Sequence, residues 1–199
     1  QETGHFIVSE YRLPLMKAAI KIQGEPLVRP SEIKADLSAG YLSGGPAKGL
    51  KVKLRASLQP GSFVPDVPGG TDYSFFANPV KTGVVDSENR QSPVETFLKV
   101  QDLTLNNEGG LLARVSDLPS VTKIQQFSLE LEYTDPNGEV KTTASQVPLF
   151  PAEYVIGLRS DSWYAEPGKT KVMGVITNNV GKPRSDRAFI VEAFRTNYI

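Results

Sequence analysis

The chain has 199 residues, enough for one large domain or two small ones with a buried core. Its 22 Lys and Arg residues balance its 22 Asp and Glu residues, so no excess positive charge is present to attract nucleic acid or an anionic membrane. Because it has no cysteine, disulfides, thiol nucleophiles and cysteine-ligated metals are excluded within these residues.

The first segment, QETGHFIVSEYRLP, begins without methionine and has no signal-peptide core, so we expect it to lie inside a longer protein. From Leu15 to Gln23 apolar residues then occupy alternate positions, which predicts a strand. The following GEPLVRPSE is predicted to be a loop. No apolar run in the chain approaches the ~20 residues that a membrane-spanning helix needs.

Two strongly patterned stretches flank the turn SGGPAKG. Apolar residues alternate with polar ones from Ile33 to Tyr41 before the turn and from Leu50 to Leu58 after it. This alternation is typical of strands with one face buried in an antiparallel sheet. The glycines of the turn tolerate positive φ, and Pro46 fixes one φ angle. The stretch predicts a strand, a turn and a second strand that pack, and nothing in it suggests chemistry.

The segment from Pro60 to Pro93 loses this pattern and is long for an unstructured connection. Its main apolar cluster is YSFF, at Tyr73 to Phe76. These rings either cover a sheet edge or one end of the core, or they form a partner-binding tip.

Strand patterns resume from Val94 to Leu105, where Val100 is predicted on the apolar face opposite Lys99 and Gln101. A short strand follows at Leu111 to Val115. The clearest hairpin is FSLELEYTDPNGEVKTTASQV, in which DPNG supplies the turn. Together these segments predict an all-β fold, a seven-stranded antiparallel β-sandwich over residues 15–149.

A second, shorter set of strand patterns follows Pro148 and Pro151, which we interpret as a short stiff linker. It consists of YVIGLRS, TKVMGVITN and RAFIVEAF. Residues 150–199 are too few to close an independent sandwich, so we predict the first strands of a second, incomplete domain of the same kind.

No candidate catalytic group stands out. The only histidine, His5, lacks the second histidine or cysteine that a metal site or a catalytic pair needs. No G-x-S-x-G, P-loop or G-x-G-x-x-G motif is present, and the glycine pairs lie where strands must turn. We assign no residue to a catalytic, cofactor-binding or metal site, expect no cofactor, and predict that the segment is not an enzyme.

Two acidic groups and one aromatic pair leave alternatives open. Asp86 to Asn89 and Asp135 to Glu139 are interpreted first as turns, with a loop-bound calcium ion as the alternative. Trp163 and Tyr164 are interpreted as a packed pair near a turn, with a sugar-stacking platform as the alternative. A hydrolase would need a pair of acids in a cleft, for which no motif is present.

Three segments carry a family resemblance. HFIVSEYRLPLMKAAIKI is similar to the junction of α2-macroglobulins, in which the last strand of one domain runs through V-x-E-Y/F-R-x-P into the next. AGYLSGGPAKGLKVKLRASLQP resembles the strand–turn–strand that follows it. SDSWYAEPGKTKVMGVITNNVGKPRSDRAFIVEAFR is similar to the opening of a further macroglobulin-like domain, and the long loop from Pro60 to Pro93 resembles the bacterial branch.

The resemblance implies an inner piece of a bacterial α2-macroglobulin-like protein, in which residues 1–14 are a junction strand from a preceding domain and the sandwich of residues 15–149 is of the macroglobulin or fibronectin-III kind. Such proteins are periplasmic, are often tethered to the inner membrane by a lipid, and trap proteases after a bait region is cut. Many members then bond the protease through a Cys-Gln thioester, which a chain without cysteine cannot contain. The partners implied are neighbouring macroglobulin-like domains and target proteases held by regions outside this chain, with no nucleic acid.

We therefore expect an inert scaffold whose junctions, Glu10 to Pro14 and Val147 to Pro151, fix its angle to its neighbours. The alternative is a tandem-sandwich binding module of a surface adhesin or carbohydrate-binding protein. That alternative requires the aromatic residues of the two clusters, Tyr73, Phe75, Phe76, Trp163 and Tyr164, to form an exposed, coplanar platform.

Overall fold

The computed structural model describes residues 13–75, 98–161 and 170–192. These residues form β-strands and one 3-10 turn, Gly70–Asp72, and they contain no helix long and apolar enough to cross a membrane. The strands are β1 (Met16–Ile22), β2 (Leu27–Val28), β3 (Glu32–Tyr41), β4 (Lys51–Pro60), β5 (Leu98–Thr104), β6 (Gly110–Ser116), β7 (Gln125–Thr134), β8 (Val140–Phe150), β9 (Tyr154–Ser160) and β10 (Val172–Asn178). The predicted all-β class is confirmed.

Two sheets enclose the main core. One has the order β1-β3-β6 and the other the order β2-β8-β7-β4-β5. Every pairing in them is antiparallel except β2 with β8, which is parallel. Burial of their alternating apolar faces removes the largest hydrophobic area from water, which is the main stabilising term of such a fold. The largest fully buried side chains of this core are Ile33, Leu37, Leu54, Leu58, Leu105, Val115, Phe127, Leu129, Leu131, Val147 and Leu149.

The two strands that flank SGGPAKG lie in opposite sheets. β3 pairs with β1 and β6, whereas β4 pairs with β5 and β7. The turn is therefore a crossover between the layers, and the two apolar faces meet in the common core. Tyr41, at the end of the predicted apolar face, is instead 41% exposed.

The predicted count of seven antiparallel strands is not confirmed. Strands were expected at all seven positions where β1 and β3–β8 are found, but the segment predicted as a loop, GEPLVRPSE, also contains β2. With only two residues, β2 is too short to show any periodicity. Pro148, predicted as part of a linker, lies inside β8 opposite Gln126, so the connection from β8 to β9 is shorter than expected.

The predicted inner face of β5 is wrong. Gln101 lies opposite the buried Leu54, and Lys99 lies opposite the buried Ala56, so these polar residues face inward. Val100 is on the outer face and is 49% exposed. Residues 94–97 of the predicted strand lie outside the described residues.

The polar side chains of β5 reach the edge of the opposite sheet. Gln101 Nε2 donates a hydrogen bond to the carbonyl oxygen of Arg114 at 3.1 Å. Lys99 Nζ donates to the carbonyl oxygen of Ser116 at 3.3 Å and lies 3.3 Å from the carboxylate of Asp117. They therefore bridge two edge strands, β5 and β6, and satisfy carbonyl groups that have no further strand to pair with.

β9 and β10 form a separate two-stranded sheet, connected to β8 through residues 151–153. They match the predicted strands YVIGLRS and TKVMGVITN. The third predicted strand, RAFIVEAF, is not observed as a strand over its described residues, 187–192, and its remainder lies outside the described residues.

Candidate functional site: the junctions at the two ends of the sandwich

The turn between β7 and β8 holds the residues that lead into β1. Asp135 is 1% exposed, and its Oδ1 accepts the backbone N–H groups of Leu15 at 3.1 Å and Met16 at 2.9 Å. Its Oδ2 also accepts the Leu15 N–H at 3.1 Å. A buried carboxylate that receives backbone donors fixes the direction of the chain strongly, because those donors would otherwise be left unsatisfied.

Two neighbours of Asp135 hold the same segment. Asn137 Nδ2 donates to the carbonyl oxygen of Leu13 at 3.2 Å, and the Tyr133 hydroxyl donates to the carbonyl oxygen of Met16 at 3.4 Å. Burial, and then the charge of Asp135, raises the pKa of Tyr133 above its ordinary value of 10.0. We call Tyr133, Asp135 and Asn137, with the residues 13–16 that they hold, the N-terminal junction.

Local sequence explains the shape of this turn. Gly138 adopts a φ of 86°, and its N–H donates to the carbonyl oxygen of Asp135 at 2.8 Å. The predicted DPNG turn is confirmed. The oxygens of Asp135 face backbone amides, and no group of three or more His, Cys, Asp and Glu residues that could hold a metal ion is found among the described residues. The other acidic group, Asp86 to Asn89, lies outside the described residues, as does His5.

Three aromatic rings form a second, smaller core at the opposite end of β8. Phe63 makes edge-to-face contacts with Phe75, at a centroid distance of 5.1 Å, and with Phe150, at 5.3 Å. Phe150 is the last residue of β8 and is 0% exposed. The buried Val155 of β9 and Ile124 before β7 complete the cluster. The cluster therefore connects the sandwich to the β9–β10 hairpin.

A glycine on β9 makes room for one of these rings. A Cβ atom at Gly157 would lie 2.6 Å from the ring of Phe75, too close for any side chain. On the other face of the hairpin a Cβ at Gly174 would lie 2.1 Å from the ring of Phe189. Since Gly174 lies opposite Leu158 and Gly157 lies opposite Val175, the two rings cover opposite faces of the two-stranded sheet.

Polar contacts hold residues 72–74, next to Phe75, to the hairpin. Arg159 Nη1 lies 3.1 Å from Asp72 Oδ2, and its guanidinium lies 5.2 Å from the centroid of the Tyr73 ring. Ser74 and Leu158 exchange two backbone hydrogen bonds, of 2.9 and 3.0 Å. We call residues 61–75, Phe150 and the β9–β10 hairpin the C-terminal junction.

Another side chain of the hairpin, Tyr154, is flanked by two arginines. The guanidinium groups of Arg184 and Arg187 lie 5.5 and 5.1 Å from its ring centroid. Arg184 also donates two hydrogen bonds to Asp186, at 2.8 and 2.9 Å, which lowers the pKa of that carboxyl to about 2. These exposed contacts order the segment after β10.

The aromatic residues singled out from the sequence do not form one surface where they are described. Phe75 packs into the second core and Tyr73 lies under Arg159, so the described part of YSFF covers one end of the core, the first of the two alternatives. Phe76, Trp163 and Tyr164 lie outside the described residues. The roles of Arg159 and Gly157 have no local signal in the sequence, because they depend on contacts with a loop more than 80 residues earlier.

Comparison with solved structures identifies the fold. The chain matches an α2-macroglobulin from Salmonella, reacted with methylamine, with a TM-score of 0.64 and 16% identity, over 88% of this chain and 12% of that protein. An Escherichia coli α2-macroglobulin activated by porcine elastase matches with a TM-score of 0.62 and 19% identity, over 85% of this chain and 15% of that protein. The trypsin-activated E. coli protein matches with a TM-score of 0.59 and 18% identity, over 85% and 12%.

No family model matches the chain, and no curated protein matches it in sequence. The chain spans 12–15% of the length of these three structural neighbours. The resemblance inferred from the junction and turn motifs is confirmed as a common fold. The chain has the fold of a segment of the bacterial α2-macroglobulins.

Proposed function

We propose that the chain is a scaffold segment of a bacterial α2-macroglobulin-like protease trap and carries no catalytic site. The observation that carries this proposal is the placement of specific contacts at the two ends of a well-packed sandwich. Asp135 fixes the chain that enters the sandwich, and the cluster around Phe150 fixes the chain that leaves it. A trap that rearranges after cleavage needs blocks of this kind to transmit movement between distant sites.

We propose three parts for the chain: a junction strand at residues 1–14, a macroglobulin-like sandwich at 15–149, and the first strands of an incomplete second domain at 150–199. Exposed apolar side chains on one face of the hairpin support the last assignment. Ile156, Leu158 and Val172 are 46%, 38% and 45% exposed on the face that Phe189 only partly covers. Further strands of the same domain would bury that face.

Exposed apolar residues near the N-terminal junction support a preceding unit. Leu13 is 71% exposed, Leu15 is 48% exposed and Leu42 is 56% exposed. Leu42 and Leu15 are joined by a backbone hydrogen bond of 2.9 Å, so they lie at one end of the sandwich. A domain joined to residue 13 would be held close to them by the chain itself.

The partners proposed with this function are the neighbouring macroglobulin-like domains and a protease held by other regions of the parent. The proposed location is the periplasm, with the parent attached to the inner membrane by a lipid. Both proposals follow from the family resemblance and not from contacts of the described residues.

The test is carried out on the parent protein, before and after cleavage by a protease that it retains. One pair of spin labels lies within the sandwich, and a second pair spans the N-terminal junction to the preceding domain. We expect the distance within the sandwich to stay constant and the distance across the junction to change. A changed internal distance, an unchanged junction, or a parent that fails to retain any protease would each contradict the proposal.

A further inference from the structure

We propose that residues 66–74, the strap, are a releasable tether that holds the β9–β10 hairpin against the sandwich, while the cluster of Phe63, Phe150 and Val155 acts as the pivot. Such a tether goes beyond the scaffold role. The tether does not depend on that role, because its contacts all lie within this chain.

The strap is bonded to the hairpin at both of its ends. At its start the backbone N–H of Asp66 donates to the carbonyl oxygen of Gly181, just after β10, at 3.0 Å. At its end Ser74 and Leu158 of β9 form an antiparallel bridge. Because these contacts involve both sides of the hairpin, they restrain its rotation as well as its distance from the sandwich.

The close approach at Gly181 requires glycine. A Cβ atom there would lie 2.9 Å from the backbone nitrogen of Asp66, and Gly181 has a φ of 85°. Both the space and the backbone angle exclude larger residues without strain. The glycine at position 181, just after β10, is therefore required for this contact between the strap and the hairpin.

The side chain of Arg159 binds the strap at Asp72 and Tyr73. Its guanidinium contacts the carboxylate of Asp72 and the ring of Tyr73, and its Nη2 lies 3.2 Å from Met173 Sδ on β10. One residue of β9 thus connects the strap with both strands of the hairpin.

The strap contacts are weaker than those of the pivot. The side chains of Arg159 and Asp72 are 28% and 58% exposed, so water and salt screen their attraction. Phe150, in contrast, is 0% exposed, and releasing it would return a whole ring to water. Only residues 151–153 separate β8 from β9. When the strap detaches, the hairpin therefore rotates about this short connection while Val155 stays packed in the cluster with Phe150.

The experiment measures the distance between spin labels on cysteines introduced at Lys17→Cys, on the sandwich, and Lys182→Cys, beside the hairpin. The chain has no cysteine of its own, and both lysines are exposed, so labelling is specific. At low salt we expect one narrow distance distribution. Arg159→Ala is expected to add a second, broader population, and raising the salt from roughly 0.05 to 1 M is expected to shift the unmutated chain the same way.

Arg114→Ala is the matched control, since Arg114 forms an exposed ion pair of 2.9 Å with Glu32, away from the strap. It is expected to leave the distribution unchanged. The proposal is overturned if Arg159→Ala keeps the narrow distribution, if the unmutated chain is already broad at low salt, or if the control has the same effect.

Amide hydrogen exchange on the same variants separates release from unfolding. In Arg159→Ala the amides of Ser74 and Leu158 are expected to exchange roughly three- to tenfold faster, from the loss of one exposed ion pair and one cation–π contact. The amides that pair β9 with β10 should keep their protection. If they lose it to the same extent, the hairpin itself has unfolded and the strap is not a separate device.

Discussion

Asp135 is the single side chain on which the N-terminal junction depends most. Asp135→Ala leaves the buried N–H of Met16 and the partly buried N–H of Leu15 without their acceptor, which is expected to lower the free energy of unfolding by about 2–4 kcal/mol. Urea denaturation, monitored by far-UV circular dichroism, measures this loss. Asp102→Ala, an exposed carboxylate on the outer face of β5, is the control and should stay within about 0.5 kcal/mol of the unmutated chain. Equal losses for the two variants would show that the junction hydrogen bonds add nothing.

Tyr133 gives the junction a pH dependence. Its pKa is raised in the folded chain, so the phenol of the unfolded chain ionises first as the pH rises. The stability contributed by the neutral phenol is therefore complete below the ordinary value of 10.0 and is lost as the pH rises above it through the raised pKa of the folded chain. We expect the difference in unfolding free energy between the unmutated chain and Tyr133→Phe to shrink from pH 8 to about pH 11. A difference that is constant or grows over this range would contradict the assignment.

Gly157 tests the packing of the C-terminal junction. Gly157→Ala places a methyl group in the ring of Phe75, so we expect Phe75 to leave the cluster and the strap amides to lose protection in hydrogen exchange. Gly174→Ala is the matched control, because the ring it displaces, Phe189, lies on the other face of the hairpin. If both variants expose the strap equally, the ring of Phe75 is not what anchors it.

Among the elements, β5 shows how an edge strand departs from simple alternation. In a central strand the inward side chains of Lys99 and Gln101 would face the apolar core, but at an edge they donate hydrogen bonds to carbonyl groups of β6. Inward polar groups also keep two sheet edges from pairing with edges of other molecules. The double variant Lys99→Val with Gln101→Val is expected to self-associate, as measured by light scattering. Lys53→Val, an equivalent loss of charge on the central strand β4, should remain as monodisperse as the unmutated chain, and aggregation of both variants alike would contradict the edge role.

The alternation of β3, apart from Tyr41, and of β4 was predicted correctly, as was that of the edge strand β1. β3 and β4 alternate cleanly because one face meets the common core and the other meets water. The inner face of β5 was predicted wrongly, because hydrophobic alternation does not reveal a lysine that faces inward to form hydrogen bonds. β2 was missed because a parallel pair of two residues leaves no period to detect.

The junctions could not be predicted from local sequence. Leu15 and Asp135 are 120 positions apart, and the contact depends on β1 and the β7–β8 turn being brought together by the whole sandwich. The motif at residues 8–14 indicated that a junction exists, and the DPNG motif indicated a turn. Neither indicated that one holds the other. The same limit applies to Arg159 and Asp72, whose contact joins β9 to the 3-10 turn 87 positions earlier.

The whole molecule divides into a large core shared by the two sheets and a small aromatic core that attaches the hairpin. Among the described residues, the large core contains most of the buried apolar side chains, whereas the small core contains three buried residues, Ile124, Phe150 and Val155. Since stability follows the apolar area removed from water, the sandwich is expected to fold without the hairpin, and the hairpin to depend on the sandwich.

The most direct test of this organisation compares two shortened chains, residues 13–152 and residues 151–199, with the full chain. Urea denaturation of residues 13–152 is expected to give one cooperative transition with nearly the midpoint of the full chain, and residues 151–199 are expected to show none. A folded, cooperative 151–199, or a 13–152 that fails to fold, would contradict the account of a self-sufficient sandwich with a dependent hairpin.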